Sequence, residues 1–158
     1  MGVVELGTLH HTCFVVRDVR KTATALATSL GITPWNVWTI APQECTVHGR
    51  PVPFSFRVAL AQVGGSSYEL LEPVSGDSVY VEHLQSKGEG FHHTCLAYAT
   101  LEAMHAAKAE LARQGRTMVQ AGSLGDAGEF AYFDMPETGA ILELLYLKAL
   151  PPPEEVIG

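Results

Sequence analysis

Apolar positions along this chain follow two different periods. LHHTCFVV (9–16) mixes apolar and β-branched residues as a half-buried strand does. From Val19 the repeat lengthens: Val19, Ala23, Leu26 and Leu30 follow at spacings of four, three and four, which puts one apolar stripe on a helix. Asp18 is placed to cap that helix and Gly31 to stop it. Three more strands are predicted in ITPWNVWTI (32–40), PFSFRVALAQV (53–63) and SSYELLEPV (66–74), with Gly64 and Gly65 turning between the last two. Ala41 to Pro53 carries three prolines and predicts a long loop.

The pattern then starts again. LHHTCFVVRDV (9–19) is echoed by FHHTCLAYATL (91–101), and each half later reaches a Glu-Leu-Leu strand, YELLEP (68–73) and ILELLYL (141–147). In the second half a helix is predicted from Leu101 to Gln114, capped by Thr100 and stopped by Gly115, with Leu101, Met104, Ala107 and Leu111 as its stripe. TMVQA, EFAYFDM and AILELLYL supply the later strands, the last two joined through a turn at Pro136 to Gly139. Ser78 to Lys87 reads as a linker helix stopped at Gly88. The predicted class is α+β: two tandem βαβββ modules, residues 1–76 and 91–150, joined through 77–90 and curled as a mixed sheet around a shared cleft. The tail, 151–158, opens on three prolines and is expected to be loose.

Composition narrows the function classes. An apolar fraction of 47% with 17% charged residues fits a folded domain, and no apolar run approaches membrane-spanning length. A net charge of -7 with ten Lys and Arg disfavours nucleic acid and anionic membrane surfaces, so a small molecule is the expected partner. The N-terminus lacks a basic start and apolar core, and Cys13, Cys45 and Cys95 form no even framework. The cytoplasm is the expected compartment.

The duplicated HHTC strands carry the candidate chemistry. Alternation along a strand sends one histidine of each pair to the cysteine's face and the other to the threonine's, so only one per pair should line a cavity. If the modules pack as pseudo-symmetric partners, one histidine and one Glu-Leu-Leu glutamate from each converge. Two imidazoles with two carboxylates suit one divalent ion among Zn, Ni, Co, Fe and Mn rather than a Ca or Mg cage. Taken singly, each residue fits a hydrogen-bonded strand histidine or a solvated glutamate; a repeat that duplicated only packing would have no reason to keep ionisable pairs inside apolar strands. Trp35, Trp38, Phe54 and Phe56 read first as core, Cys13 and Cys95 as packing, and Arg57 and Arg116 as solvated cations.

In these residues the chain resembles the vicinal-oxygen-chelate superfamily, specifically its methylmalonyl-CoA epimerase and glyoxalase I branch. The resemblance spans nearly the whole chain and is most specific in YELLEPVSGDSVYVEHLQSKGEGFHHTC (68–95). It implies His11, Glu69, His93 and Glu143 as metal ligands, the second histidine of each pair, around a metal-centred cleft; periodicity alone does not choose between His10 and His11 or between His92 and His93. It also implies an epimerase or isomerase of an acyl thioester or 2-oxo compound acting through a metal-stabilised enolate, with Glu143 as base and Glu69 as return acid. The family's usual further carboxylate is missing from VHGRPVPFSFRVALAQ (47–62), where Glu44 and His48 are the nearby substitutes. Glutathione-dependent lyase chemistry of the glyoxalase I kind and metal-free binding of the drug-sequestering kind are the alternatives. The family also allows a homodimer, for which no interface signature is visible in the sequence.

Overall fold

Asp18 and Thr100 accept backbone N–H bonds from Lys21 and Ala103, so each opens the helix its position predicts. The structure, a computed structural model, describes residues 2–158. In the first half β1 (Thr8–Val15) leads into α1 (Val19–Leu30), followed by β2 (Trp35–Ile40), β3 (Gln43–Val47), β4 (Arg50–Pro51), β5 (Ser55–Val63) and β6 (Ser66–Ser75). Helix α2 (Val79–Ser86), capped by Ser78, links to β7 (Gly90–Ala97), α3 (Leu101–Arg113), β8 (Met118–Ser123), β9 (Gly128–Met135), β10 (Ala140–Leu147) and β11 (Glu155–Ile157). Gly31 closes α1 at φ 69°, a left-handed conformation that a side chain would strain. No described helix is long and apolar enough to cross a membrane.

The strands form one mixed sheet in the order β11-β2-β5-β6-β1-β7-β10-β9-β8-β3-β4, not closed into a barrel. The order is nearly a palindrome about the central pair. β1 lies parallel to β6 and β7 parallel to β10, while β1 and β7 run antiparallel. The fold is α+β, as the periodicities predict, with the two halves continuous through the β1–β7 seam.

Two predicted irregular segments are corrected. The loop at 41–53 contains the β3–β4 hairpin, turned by His48 and Gly49 at φ 50° and 77°, and β3 pairs with β8 of the other half. Positive φ at both residues is the two-residue hairpin geometry. Ala41 and Pro42 alone connect β2 to β3, and three peptide steps reach roughly 11 Å, so the sheet curls until its two sides nearly meet. The tail is not loose either: β11 adds antiparallel to β2, pairing Glu155 with Val37 and Ile157 with Trp35. Its prolines precede the strand and so remove none of its ladder bonds.

Three packed clusters result. Trp35, Val37 and Ala59 pack with Val19 and Ala23 of α1, and Phe133 and Leu144 pack with Met104, Ala107 and Leu111 of α3. The third cluster lies inside the curl and joins both halves, through Val15, Trp38, Phe54, Phe56, Tyr80, Phe130 and Leu145. Leu30, at the end of the expected α1 stripe, stays exposed; packing the rest of both stripes on the outer face leaves the inner face free to hold a site.

Candidate functional site

Four ionisable side chains, one from each of the four central strands, meet on this inner face. His11 and His93 come from β1 and β7, Glu69 and Glu143 from β6 and β10, and all four are buried. The cross-strand register dictates the meeting, since Cys13 lies opposite both Glu69 and His93 while Cys95 lies opposite both His11 and Glu143. The structure thus brings together the four residues expected from the sequence.

Donor atoms of His11, His93 and Glu143 lie within 4.8 Å of one another, and Glu69 Oε1 approaches both imidazoles from the side. His11 Nε2 is 3.3 Å from His93 Nε2, 3.5 Å from Glu69 Oε1 and 3.0 Å from Glu143 Oε2. His93 Nε2 is 3.8 Å from Glu69 Oε1 and 2.9 Å from Glu143 Oε2. Donors bound to a common ion at about 2.0–2.2 Å lie about 2.8–3.6 Å apart in octahedral or tetrahedral geometry. Glu143 Oε2 is fully buried and lacks an aligned hydrogen bond despite its two close imidazole nitrogens. A buried oxygen without a donor is costly, and a cation held among these donors would satisfy it. The N₂O₂ set therefore fits a divalent ion of the Zn, Ni, Co, Fe or Mn type.

The electrostatics are strongly coupled. Burial alone would raise the Glu143 pKa, but the His11 and His93 imidazoles hold its carboxyl well below the usual range. For His11 burial opposes the charged form, yet Glu69 and Glu143 outweigh it and its pKa is raised to about 9. Burial pushes the Cys13 and Cys95 thiols well up, and the neighbouring carboxylates push them further. Both therefore keep their protons.

The expected alternation within each HHTC strand does not hold. The β1–β7 ladder skips a residue at His10 on one strand and at His92 on the other. A bulge sets two residues against one and re-aims side chains, so the paired histidines lie together. His10 Nδ1 is 2.8 Å from His11 Nδ1, and His92 Nδ1 is 2.8 Å from His93 Nδ1. Each candidate ligand ring is thus held by its own chain neighbour. Burial lowers the pKa of His10 and, far more, of His92, and each is lowered further by the adjacent histidine. His92 is enclosed by His83, Tyr80 and Tyr132, whereas His10 lines the cavity beside His11. The doublets were visible in the sequence; the bulges were not.

That cavity, of about 50 Å³, adjoins His11, Glu69 and Glu143 and is otherwise largely aliphatic and aromatic. Phe56 and Tyr132 line it, and the Tyr132 hydroxyl lies 2.6 Å from that of Tyr80. The loop substitutes for the missing carboxylate lie elsewhere. Glu44 is exposed, and His48 pairs with Glu82 at 2.8 Å over a different cleft. Arg57 and Arg116 are not free cations but pair with Glu72 and Glu137.

Residues 10–133 match the sequence model of the Glyoxalase/Bleomycin resistance protein/Dioxygenase superfamily. Among solved structures the chain is similar to methylmalonyl-CoA epimerase from Mycobacterium tuberculosis, at 22% identity and TM-score 0.65 over 94% of each chain. It is similar to Streptomyces coelicolor methylmalonyl-CoA epimerase in complex with 2-nitronate-propionyl-CoA, at 19% identity and TM-score 0.64 over 94% of this chain and 100% of that one. A hypothetical protein, BH1468 from Bacillus halodurans, aligns at 20% identity and TM-score 0.61 over 93% and 99% of the two chains. No curated protein sequence matches the chain.

Proposed function

The chain belongs to the Glyoxalase/Bleomycin resistance protein/Dioxygenase superfamily, and from that membership we propose that it is a divalent-metal-dependent epimerase or isomerase of an acyl thioester or 2-oxo small molecule. Many members of the superfamily are enzymes, and members bind divalent metals. The observation that carries the reading is the buried meeting of His11 Nε2 and His93 Nε2 with the carboxylates of Glu143, at 3.0 and 2.9 Å, and Glu69, at 3.5 and 3.8 Å. The thioester class is suggested by the epimerase neighbours, one of which is in complex with methylmalonyl-CoA.

A divalent ion bound by these four residues supplies Lewis-acid polarisation of a substrate oxygen, easing removal of the proton on the neighbouring carbon. His11 and His93 would hold it through Nε2, with their rings fixed by His10 and His92 at Nδ1. Glu143 is the proposed base: its carboxylate takes the proton while the C–H electron pair moves toward the carbonyl. Glu69, from the other module, is the candidate to return a proton to the carbon, one that as a carboxylate it would first take from solvent. The wall around them is largely apolar, and a low-dielectric surround strengthens each of these interactions. Glu44 and His48 take no part, because neither reaches this cavity.

Glyoxalase I-like lactoylglutathione lyase chemistry is the second reading, favoured by the His/Glu/His/Glu set, and turnover of methylglyoxal hemithioacetal separates it from epimerisation. A metal-free drug-sequestering role is the third reading, and metal analysis of protein purified without chelator separates it from the other two. The decisive experiment follows deuterium entering a propionyl thioester analogue from solvent by NMR. Glu143→Gln should slow exchange at least about 100-fold, since an amide still ligates through oxygen but accepts no proton. Glu44→Gln and His48→Ala should leave exchange within about threefold of the parent. Loss of exchange in either loop variant, with Glu143→Gln unaffected, would move the base to the hairpin.

A further inference from the structure

The cavity beside the four candidate ligands is walled by Ile40, Val58 and Leu60 from one half and by Leu145, Leu147 and Leu150 from the other. Neither Lys nor Arg is among its lining residues. Arg57, whose strand supplies Phe56 and Val58, is committed to Glu72 at 2.7 Å. The polar atoms that are present are largely engaged: the Tyr132 hydroxyl with Tyr80, and His10 Nδ1 with His11. Beside the histidines and Tyr132, the ionisable groups facing the cavity are the carboxylates of Glu69 and Glu143.

Leu150 belongs to the segment between β10 and β11, and that segment is pinned across the mouth. Trp38 Nε1 donates to the Pro151 carbonyl at 2.8 Å, and the Glu154 N–H donates to the Val37 carbonyl at 2.9 Å. Glu154 Oε1 accepts from the Thr39 N–H at 3.1 Å, and Glu155 pairs with Arg20 at 2.7 Å. The leucine is therefore a fixed wall and not a passing side chain.

We infer that the substrate places a small, uncharged aliphatic group against this wall and carries no carboxylate there beyond its metal-binding oxygens. This rests on the metal-site reading above. The two ligand glutamates already neutralise a divalent ion, so a further carboxylate would enter an apolar space lined by neither Lys nor Arg. Burying such a charge unpaired is strongly unfavourable. An aliphatic group of the same shape instead gains contact with the leucines.

Two hydroxamates that share one bidentate oxygen pair and one shape test this. Malonomonohydroxamate ends in a carboxylate, and 3-methylbutanohydroxamate replaces it with an isopropyl group. Calorimetric titration of the zinc-loaded protein should give at least about tenfold tighter binding for the aliphatic compound. Leu150→Arg supplies a cation at the rim and should shrink that ratio to about threefold or less, with an unchanged circular-dichroism spectrum as the folding control. Equal binding by the parent protein, or preference for the acid, overturns the inference while leaving the metal site standing. Binding of neither hydroxamate, or equal binding to chelator-stripped protein, overturns the metal-site reading and this inference with it.

Discussion

His11 shows how one residue can carry the charge logic of the site. Its ring is buried, which by itself favours the neutral form, yet Glu69 and Glu143 raise its pKa to about 9. At neutral pH the metal-free protein therefore holds a proton where a cation would bind, and metal uptake must displace it. The sign follows: below about 9 each unit of pH rise makes that displacement easier by up to tenfold, and above it the dependence levels off. Zinc affinity from competition with a chromophoric chelator should rise from pH 6.5 to 8.5, with about one proton released per ion in buffers of different ionisation enthalpy. Flat affinity with no proton release would mean that His11 is not protonated in the metal-free site. Cys13 offers the opposite case. Its sulfur lies within 4.8 Å of donor atoms of Glu69 and His93, yet burial and the neighbouring carboxylates keep the thiol protonated, so it packs as a small apolar group.

At the scale of elements, α1 and α3 were legible because cap, stripe and stop agreed in both of them. The irregularities were not. Period-two reasoning assumes an unbroken ladder, and the skipped residues at His10 and His92 break it where the chemistry lies. The β3–β4 hairpin was hidden because its turn is His48-Gly49 instead of an Asn-Gly or Asp-Gly signal, and its partner β8 is distant in sequence. β11 was hidden by the preceding prolines and depends on β2, more than a hundred residues earlier. The bulge at His92 has a consequence of its own. The ring is tied to His93 at Nδ1 and packs against the rings of Tyr80 and His83 on α2, so it anchors a candidate ligand to a helix. His92→Ala should weaken zinc binding by about 10- to 100-fold, the usual effect of losing such a partner, with the far-ultraviolet spectrum retained. Unchanged affinity in a folded variant would show that His93 needs no such support.

For the whole molecule, the duplication explains why the site sits where it does. β1 and β7 form the seam between halves, and each half supplies one histidine and one glutamate within two strands of it. The repeat made this convergence legible from sequence, whereas Leu150 as a cavity wall was not, because it depends on a tail that crosses back to β2. A cation bound by all four residues would join the two halves at their common seam, so binding energy would add directly to the stability of the fold. Free zinc at about 1,000 times its dissociation constant adds about 4 kcal/mol, which for a domain of this size is roughly 8–16 °C in Tm. Scanning calorimetry should show that rise over chelator-treated protein as a shift of one transition, because β3 pairs with β8 across the halves and neither half has its own closed curl. A metal-dependent shift of only part of a split transition would mean that the halves unfold separately and that the ion is held by one of them.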